Sequence, residues 1–184
     1  PKAIPDLTYE MFLDFHKTYY HPSNSYIYLY GNMDMEEKLA FLDEHYLSHF
    51  DYLDVDSVIQ EQKAFGACQD VTLEYPVAEN EGEEDNTYLS YNMVVGNAAD
   101  SQMAMAFEVL DYALLSAPGA PLKQALLDVK AGKDVYGSYD DGILQPYFTV
   151  IAKGSNPDRK EEFVSVIRQV LGDIVKNGID RKAV

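Results

Sequence analysis

The chain has 184 residues, 47% of them hydrophobic, which suffices for one sizeable core or one and a half small ones. With 31 acidic against 14 basic side chains its net charge is −17, so a phosphate backbone would be repelled, and nucleic acid is not an expected partner. A single cysteine, Cys68, rules out an internal disulfide, and no apolar run reaches the ~20 residues of a membrane helix, so no membrane partner is expected.

Thr8 precedes Met11, Phe12, Phe15 and Tyr19 at helical spacing, and Pro22 stops the pattern; a short amphipathic helix is expected. Residues 25–30, S-Y-I-Y-L-Y, are apolar and aromatic throughout and closed by Gly31-Asn32, which suits an interior strand. Asp34 stands three residues before Glu37 in a capping-box spacing, and Met35, Leu39, Leu42, Tyr46 and Phe50 form the stripe of a second helix. Helix, strand, helix is thus the expected first unit, residues 1–56. Residues 57–69 read as a connector without period.

From residue 70 a second unit is expected to run to the end of the chain. Val71, Leu73 and Tyr75 alternate with polar neighbours, as do Leu89, Tyr91, Met93 and Val95, so each stretch predicts a half-buried strand. Between them the run E-N-E-G-E-E-D-N, residues 79–86, is polar and self-repelling and predicts a mobile loop. Asp100 caps a helix carrying Met103, Phe107, Leu110 and Leu114, which must end before Pro118. Pro121 opens another, with Leu122, Leu126 and Val129 inward and Gly132 past its end. Residues 135–139 and 143–152 read as a hairpin around Asp140-Asp141-Gly142, with Pro146 arguing for an edge position or a bulge. Asn156-Pro157 starts a last helix with Phe163, Ile167, Val170 and Ile174 as its stripe and Asn177-Gly178 as its end. Pro1 at the start, and Asp180 offering a cap with only Arg181 to Val184 after it, suggest a segment cut at both ends, truncated at the C-terminus. The expected fold class is α+β: a two-layer sandwich of a mixed or antiparallel sheet with helices on one side.

Chemistry is sparse in this pattern. His45 and His49 stand at i and i+4, but the segment is E-H-Y-L-S-H, with no carboxylate between the histidines, and neither H-E-x-x-H nor H-x-x-E-H occurs. His16 and His21 add no ligand set. Ser138 lies in Y-G-S-Y rather than G-x-S-x-G, Cys68 has no neighbouring base, and no phosphate-binding glycine loop is present. The acidic runs lack the D-x-D-x-D-G order of a calcium loop. No catalytic residue and no metal ligand are therefore assigned, and the segment itself calls for no cofactor.

Residues 7–34, L-T-Y-E-M-F-L-D-F-H-K-T-Y-Y-H-P-S-N-S-Y-I-Y-L-Y-G-N-M-D, resemble the helix-to-strand passage late in the first domain of pitrilysin/insulinase-type zinc metallopeptidases. Residues 118–128, P-G-A-P-L-K-Q-A-L-L-D, and 144–157, L-Q-P-Y-F-T-V-I-A-K-G-S-N-P, are similar to the second domain of the presequence-protease and falcilysin branch. The resemblance implies a parent of two halves, each with two related α+β domains, closing on an unstructured oligopeptide that is cut at an H-x-x-E-H zinc site. Zinc would belong to the parent, and this segment would be non-catalytic, packing on the catalytic domain and the second half and lining the peptide chamber. In the family's fourth domain an arginine and a tyrosine reach the active site from a hairpin. The hairpin here has Lys153 before Gly154 at the comparable place, so that role is not carried over. Tyr136, Tyr139, Tyr147 and Lys153 are the candidate residues facing a peptide. The alternative is a homologous non-catalytic subunit or a peptide-binding module. Substrate and compartment stay unassigned, a cysteine-poor chain favouring the cytoplasm.

Overall fold

A computed structural model describes residues 3–80 and 82–179. The chain divides into two compact units, Pro1–Gln60 and Glu61–Val184.

In the first unit, α1 (Tyr9–Tyr19) begins where Thr8 Oγ1 accepts a hydrogen bond from Met11 N at 3.2 Å, and α2 (Met35–His45) where Asp34 Oδ1 accepts from Glu37 N at 3.0 Å. Each cap satisfies one of the amides a helix start leaves free. Two expectations fail in this unit. Residues 25–30 form no strand and pair with none among the described residues, Tyr26 being 104% and Tyr28 85% exposed, so the unit is not helix-strand-helix. An aromatic run has the side chains of an interior strand, but strandedness also requires a neighbour to take its amides, and none is supplied here. The second helix ends at His45 rather than near Phe50: Tyr46 departs to φ −139° and a 3₁₀ turn follows at Leu47–His49. His45 and His49 therefore do not share one helical face; His45 packs on Phe41, ring centroids 4.6 Å apart. None of the described residues of this unit is buried.

The second unit holds the core. Its sheet is formed by β1 (Thr87–Val94), β2 (Asp134–Asp140) and β3 (Tyr147–Ser155) in the order β1-β3-β2, antiparallel throughout. The structure is α+β, as the clustering of strands and helices implies. Pro146, expected to mark an edge or a bulge within a strand, lies just outside β3, which is the central strand; its carbonyl accepts from Val95 N at 2.8 Å. The register shifts once, between Thr87 and Tyr88, where β3 carries one extra residue, Gly154 at φ +69°. Residues 71–75, expected as a strand, form none and pair with none among the described residues.

Register sets the faces. Leu89, Ala152 and Val135 form one cross-strand row, Tyr91, Val150 and Gly137 the next, and Met93, Phe148 and Tyr139 the third. Against this face pack α3 (Ser101–Asp111), α4 (Pro121–Asp128) and α5 (Lys160–Asn177), with Leu122, Leu126, Phe163 and Ile167 buried. Asp100 Oδ1 caps α3 by accepting from Met103 N at 3.0 Å, and α5 stops at Gly178, whose φ of +79° an L side chain rarely adopts. Beyond Asp111 the helix widens into a π turn, Tyr112–Ser116, closed by Ala117 N donating to Tyr112 O at 2.8 Å. The added residue lets three consecutive side chains, Ala113, Leu114 and Leu115, all become buried, which an α-helical stripe would not allow. Asp111 Oδ1 is buried at this turn without a hydrogen-bond partner among the described residues, and burial pushes the carboxyl above its ordinary range. Among the described residues no helix is long and apolar enough to cross a membrane.

Close packing at Gly137 makes a direct test. A methyl group there would overlap Leu115 Cδ1 and lie 2.5 Å from the Thr149 carbonyl oxygen. Gly137→Ala should therefore destabilise the chain by about 1–3 kcal/mol, the usual cost of overpacking, despite the better propensity of alanine. Thermal or urea denaturation of the two proteins measures it.

Candidate functional site

Among the described residues no helix packs on the other face of the sheet. Its rows are Tyr88, Lys153 and Asp134; Ser90, Ile151 and Tyr136; Asn92, Thr149 and Ser138; and Val94, Tyr147 and Asp140. Alternation along each strand puts these side chains opposite the core that buries Leu89, Val135 and Val150; Thr149, in the middle of the central strand, is itself buried among its neighbours on this face. Its centre is a polar ladder: Thr149 Oγ1 donates to Asn92 Oδ1 at 2.7 Å and Asn92 Nδ2 donates to Ser90 Oγ at 2.8 Å. Ile151 is half-buried, while Tyr88, Val94 and Tyr136 are exposed.

Three of the four residues singled out from the sequence, Tyr136, Tyr147 and Lys153, share this open face. Tyr147 is tied down, its hydroxyl donating to Asp140 Oδ2 at 3.0 Å, and the carboxylate raises the phenol's pKa. Tyr139 does not join them. It lies on the helix-covered side, stacked on Phe107 with centroids 5.5 Å apart and planes at 17°, and burial raises its pKa, with Asp141, Glu108 and Asp100 adding to the effect. Period two accounts for this: residues 136 and 139 have opposite parity in one strand and must face opposite ways.

At one end of the open face lies a cleft of about 320 Å³, lined by Tyr75 to Ala78, Asp85, Asn86, Tyr88, Lys153 and Gly154. The rings of Tyr75 and Tyr88 meet edge-on, centroids 5.9 Å apart, and the Tyr75 hydroxyl donates to the Asn86 carbonyl. Lys153 Nζ stands over the Tyr88 ring, 5.8 Å from its centroid. The floor is held by Asp85, whose backbone sits at φ +58°, a conformation aspartate tolerates. Its N–H donates to Asn156 Oδ1 at 2.9 Å, Asn156 Nδ2 donates back to Asp85 Oδ1 at 2.8 Å, and Lys133 Nζ lies 3.2 Å from Asp85 Oδ2. The acidic run 79–86 reads in the sequence as a mobile loop, yet this reciprocal polar pair fixes its end. Asn156, expected to help start the last helix, spends its side chain here instead, and a 3₁₀ turn at Pro157–Arg159 leads into α5. Sequence reasoning missed Tyr75, Asp85, Tyr88 and Asn156 as a group because the partners lie up to 71 positions apart and only tertiary contacts unite them.

Leading into the cleft, residues 61–78 carry no helix or strand and touch the rest of this unit at a few polar contacts. Gln62 N donates to Gln145 Oε1 at 2.7 Å and Gln145 Nε2 donates to Gln62 O at 3.1 Å, while Asp70 pairs with Lys160. Among the described residues no three His, Cys, Asp or Glu side chains gather as a metal-holding group. Cys68 is free and exposed.

A family model described as the peptidase M16 inactive domain matches residues 6–184. Among curated proteins the chain is 46% identical over 184 residues to Protein HypA of Clostridium perfringens, covering all of this chain and 19% of the relative. It is 32% identical over 188 residues to Presequence protease 1, chloroplastic/mitochondrial, of Arabidopsis thaliana, covering all of this chain and 17% of that protein. Against Presequence protease, mitochondrial, of Xenopus laevis it is 29% identical over 185 residues, covering 98% and 18%. The chain thus spans about a fifth of the length of the curated relatives it matches.

The anchor at Asp85 has a pH signature. Hydrogen bonding from Asn156, and then Lys133, hold its carboxyl below the ordinary range, so its contribution to stability is present above the unfolded value of about 3.9 and is lost as pH falls through the lower folded value. Asp85→Asn, which keeps the backbone preference, should lower Tm at pH 7, and the gap between the proteins should narrow as pH falls below the ordinary carboxylate range. A difference in Tm that is independent of pH would show that the charge is not what anchors the loop.

Proposed function

Because this chain belongs to the peptidase M16 family, as its inactive domain, and is a non-catalytic segment of a peptidase, we propose that it forms a wall of an oligopeptide-degrading chamber. In this reading residues 1–56 end the catalytic domain, 57–69 connect, and 70–184 belong to the second, non-catalytic domain. The parent's zinc and its H-x-x-E-H ligands lie elsewhere in the longer protein. Residues 70–184 scaffold the catalytic domain and turn one face toward the substrate.

The observation that carries this reading is the two-sidedness of the sheet. One face is closed by α3, α4 and α5, and the other presents a tyrosine, a half-buried isoleucine and a hydrogen-bonded polar ladder without a helix over them. A flat surface of alternating apolar and amide or hydroxyl groups suits extended backbone, which offers both kinds of contact along its length and needs no fixed side chain. The chain's acidity adds a long-range attraction for basic peptides. In this reading the face holds a peptide and cleavage is left to the parent's zinc site.

Fluorescence anisotropy of a labelled unstructured peptide tests the assignment, with mass spectrometry of the same mixtures to detect products. Binding without cleavage is expected. Tyr136→Ser should weaken it about fivefold or more, as loss of an aromatic contact does, whereas Tyr139→Phe, on the helix-covered side, should leave it unchanged. Cleavage by the chain alone, or equal sensitivity to both substitutions, would contradict the proposal.

A further inference from the structure

Charge pairing singles out one group in the cleft beside Tyr88. The chain carries 31 acidic side chains, yet among the described residues Lys153 has no carboxylate within ion-pair distance. Its neighbours are already engaged. Asp134, directly across in the register, accepts from Val135 N at 2.8 Å and lies 3.6 Å from Lys123 Nζ. Asp85, at the floor of the cleft, is taken up by Asn156 and Lys133. The Lys153 ammonium instead rests over the Tyr88 ring at 5.8 Å, which leaves its donors free toward the cleft.

The walls add shape to that charge. Tyr75 and Tyr88 stand edge to face, and Gly154, at φ +69°, contributes no side chain to the opening. A volume of about 320 Å³ accommodates a terminal residue or one side chain with its neighbour, but not a folded element. Beside it β1 runs as an edge strand with one side unpaired among the described residues, so an extended chain can approach along its backbone.

We propose that this cleft is a carboxylate subsite. Lys153 Nζ takes the carboxylate of an extended peptide, from its C-terminal end or from an Asp or Glu side chain, and the rings of Tyr75 and Tyr88 bracket the adjoining residue. The subsite rests on the peptide-facing reading above and deepens it: in an otherwise acidic chain that draws basic peptides, this point fixes where an anionic group is placed.

The test uses the 184-residue chain and three labelled, unstructured decapeptides of Gly, Ser, Tyr and Leu: one with a free C-terminal carboxylate, the same peptide amidated, and the amide with one internal Glu. Anisotropy titrations are run on the native chain, Lys153→Gln and Lys153→Arg. Lys153→Gln is expected to weaken at least one of the two anionic peptides about fivefold, as for a solvent-accessible ion pair, to leave the neutral amide unchanged, and Lys153→Arg to restore the loss. A loss confined to the free acid identifies the C-terminus as the source, and one confined to the Glu peptide identifies the side chain. If all three peptides bind the native chain and Lys153→Gln equally, the subsite is overturned while the peptide-facing reading stands. If none binds the native chain, both are overturned.

Discussion

The strand register of β3 between β1 and β2 is the constraint from which the rest follows. Because side chains alternate with period two, placing Ala152, Val150 and Phe148 against the helices also decides that Lys153, Ile151, Thr149 and Tyr147 face away. The core and the candidate site are therefore two sides of one choice. A slip by one residue would put Lys153 and Thr149 into apolar packing with Leu126 and Ile167, and desolvating an ammonium there is prohibitive. Two local devices hold the register. Gly137 lets β2 lie close to Leu115 and to the Thr149 carbonyl, and Gly154 absorbs the extra residue where β1 and β3 shift.

The first unit is the counterpoint. Its helices are capped as well as those of the second, by Thr8 and Asp34, yet it has no buried residue among those described. A cap contributes only about 1 kcal/mol to its helix, and the larger share of helical stability takes burial of an apolar face. Phe12, Phe15, Tyr26, Tyr28 and Tyr30 all remain exposed, an apolar surface far larger than a self-contained domain tolerates. The chain belongs to the M16 family and spans about a fifth of the length of its curated relatives.

How much was legible follows from the range of the interactions. Thr8, Asp34 and Asp100 were readable as caps because each bonds an amide three residues away, and the α5 stripe of Phe163 and Ile167 because it repeats within one helix. The β2-β3 hairpin was readable from its alternation. Residues 25–30 and 71–75 were misread for one reason: alternation and β-branched or aromatic content state what a strand would look like, not whether a neighbour exists to pair with it. The π turn at Tyr112–Ser116 has no signature in local spacing either, since it arises from tertiary demand for three consecutive buried residues. Of the four candidate residues, Lys153, Tyr136 and Tyr147 share the open face, while Tyr139 has the opposite parity in its strand. The Asp85, Asn156 and Lys133 cluster needed three-dimensional register to be seen.

Amide hydrogen exchange on the whole chain tests the central claim, that tertiary stabilisation resides on the helix-covered side of the sheet in the second unit. The slowest amides should be those of β3, from Phe148 to Ala152, together with those near Leu126 and Ile167, where burial is complete or nearly so, while residues 3–60 exchange close to the rate of fraying helices. Protection of residues 9–45 equal to that of β3 would contradict the account.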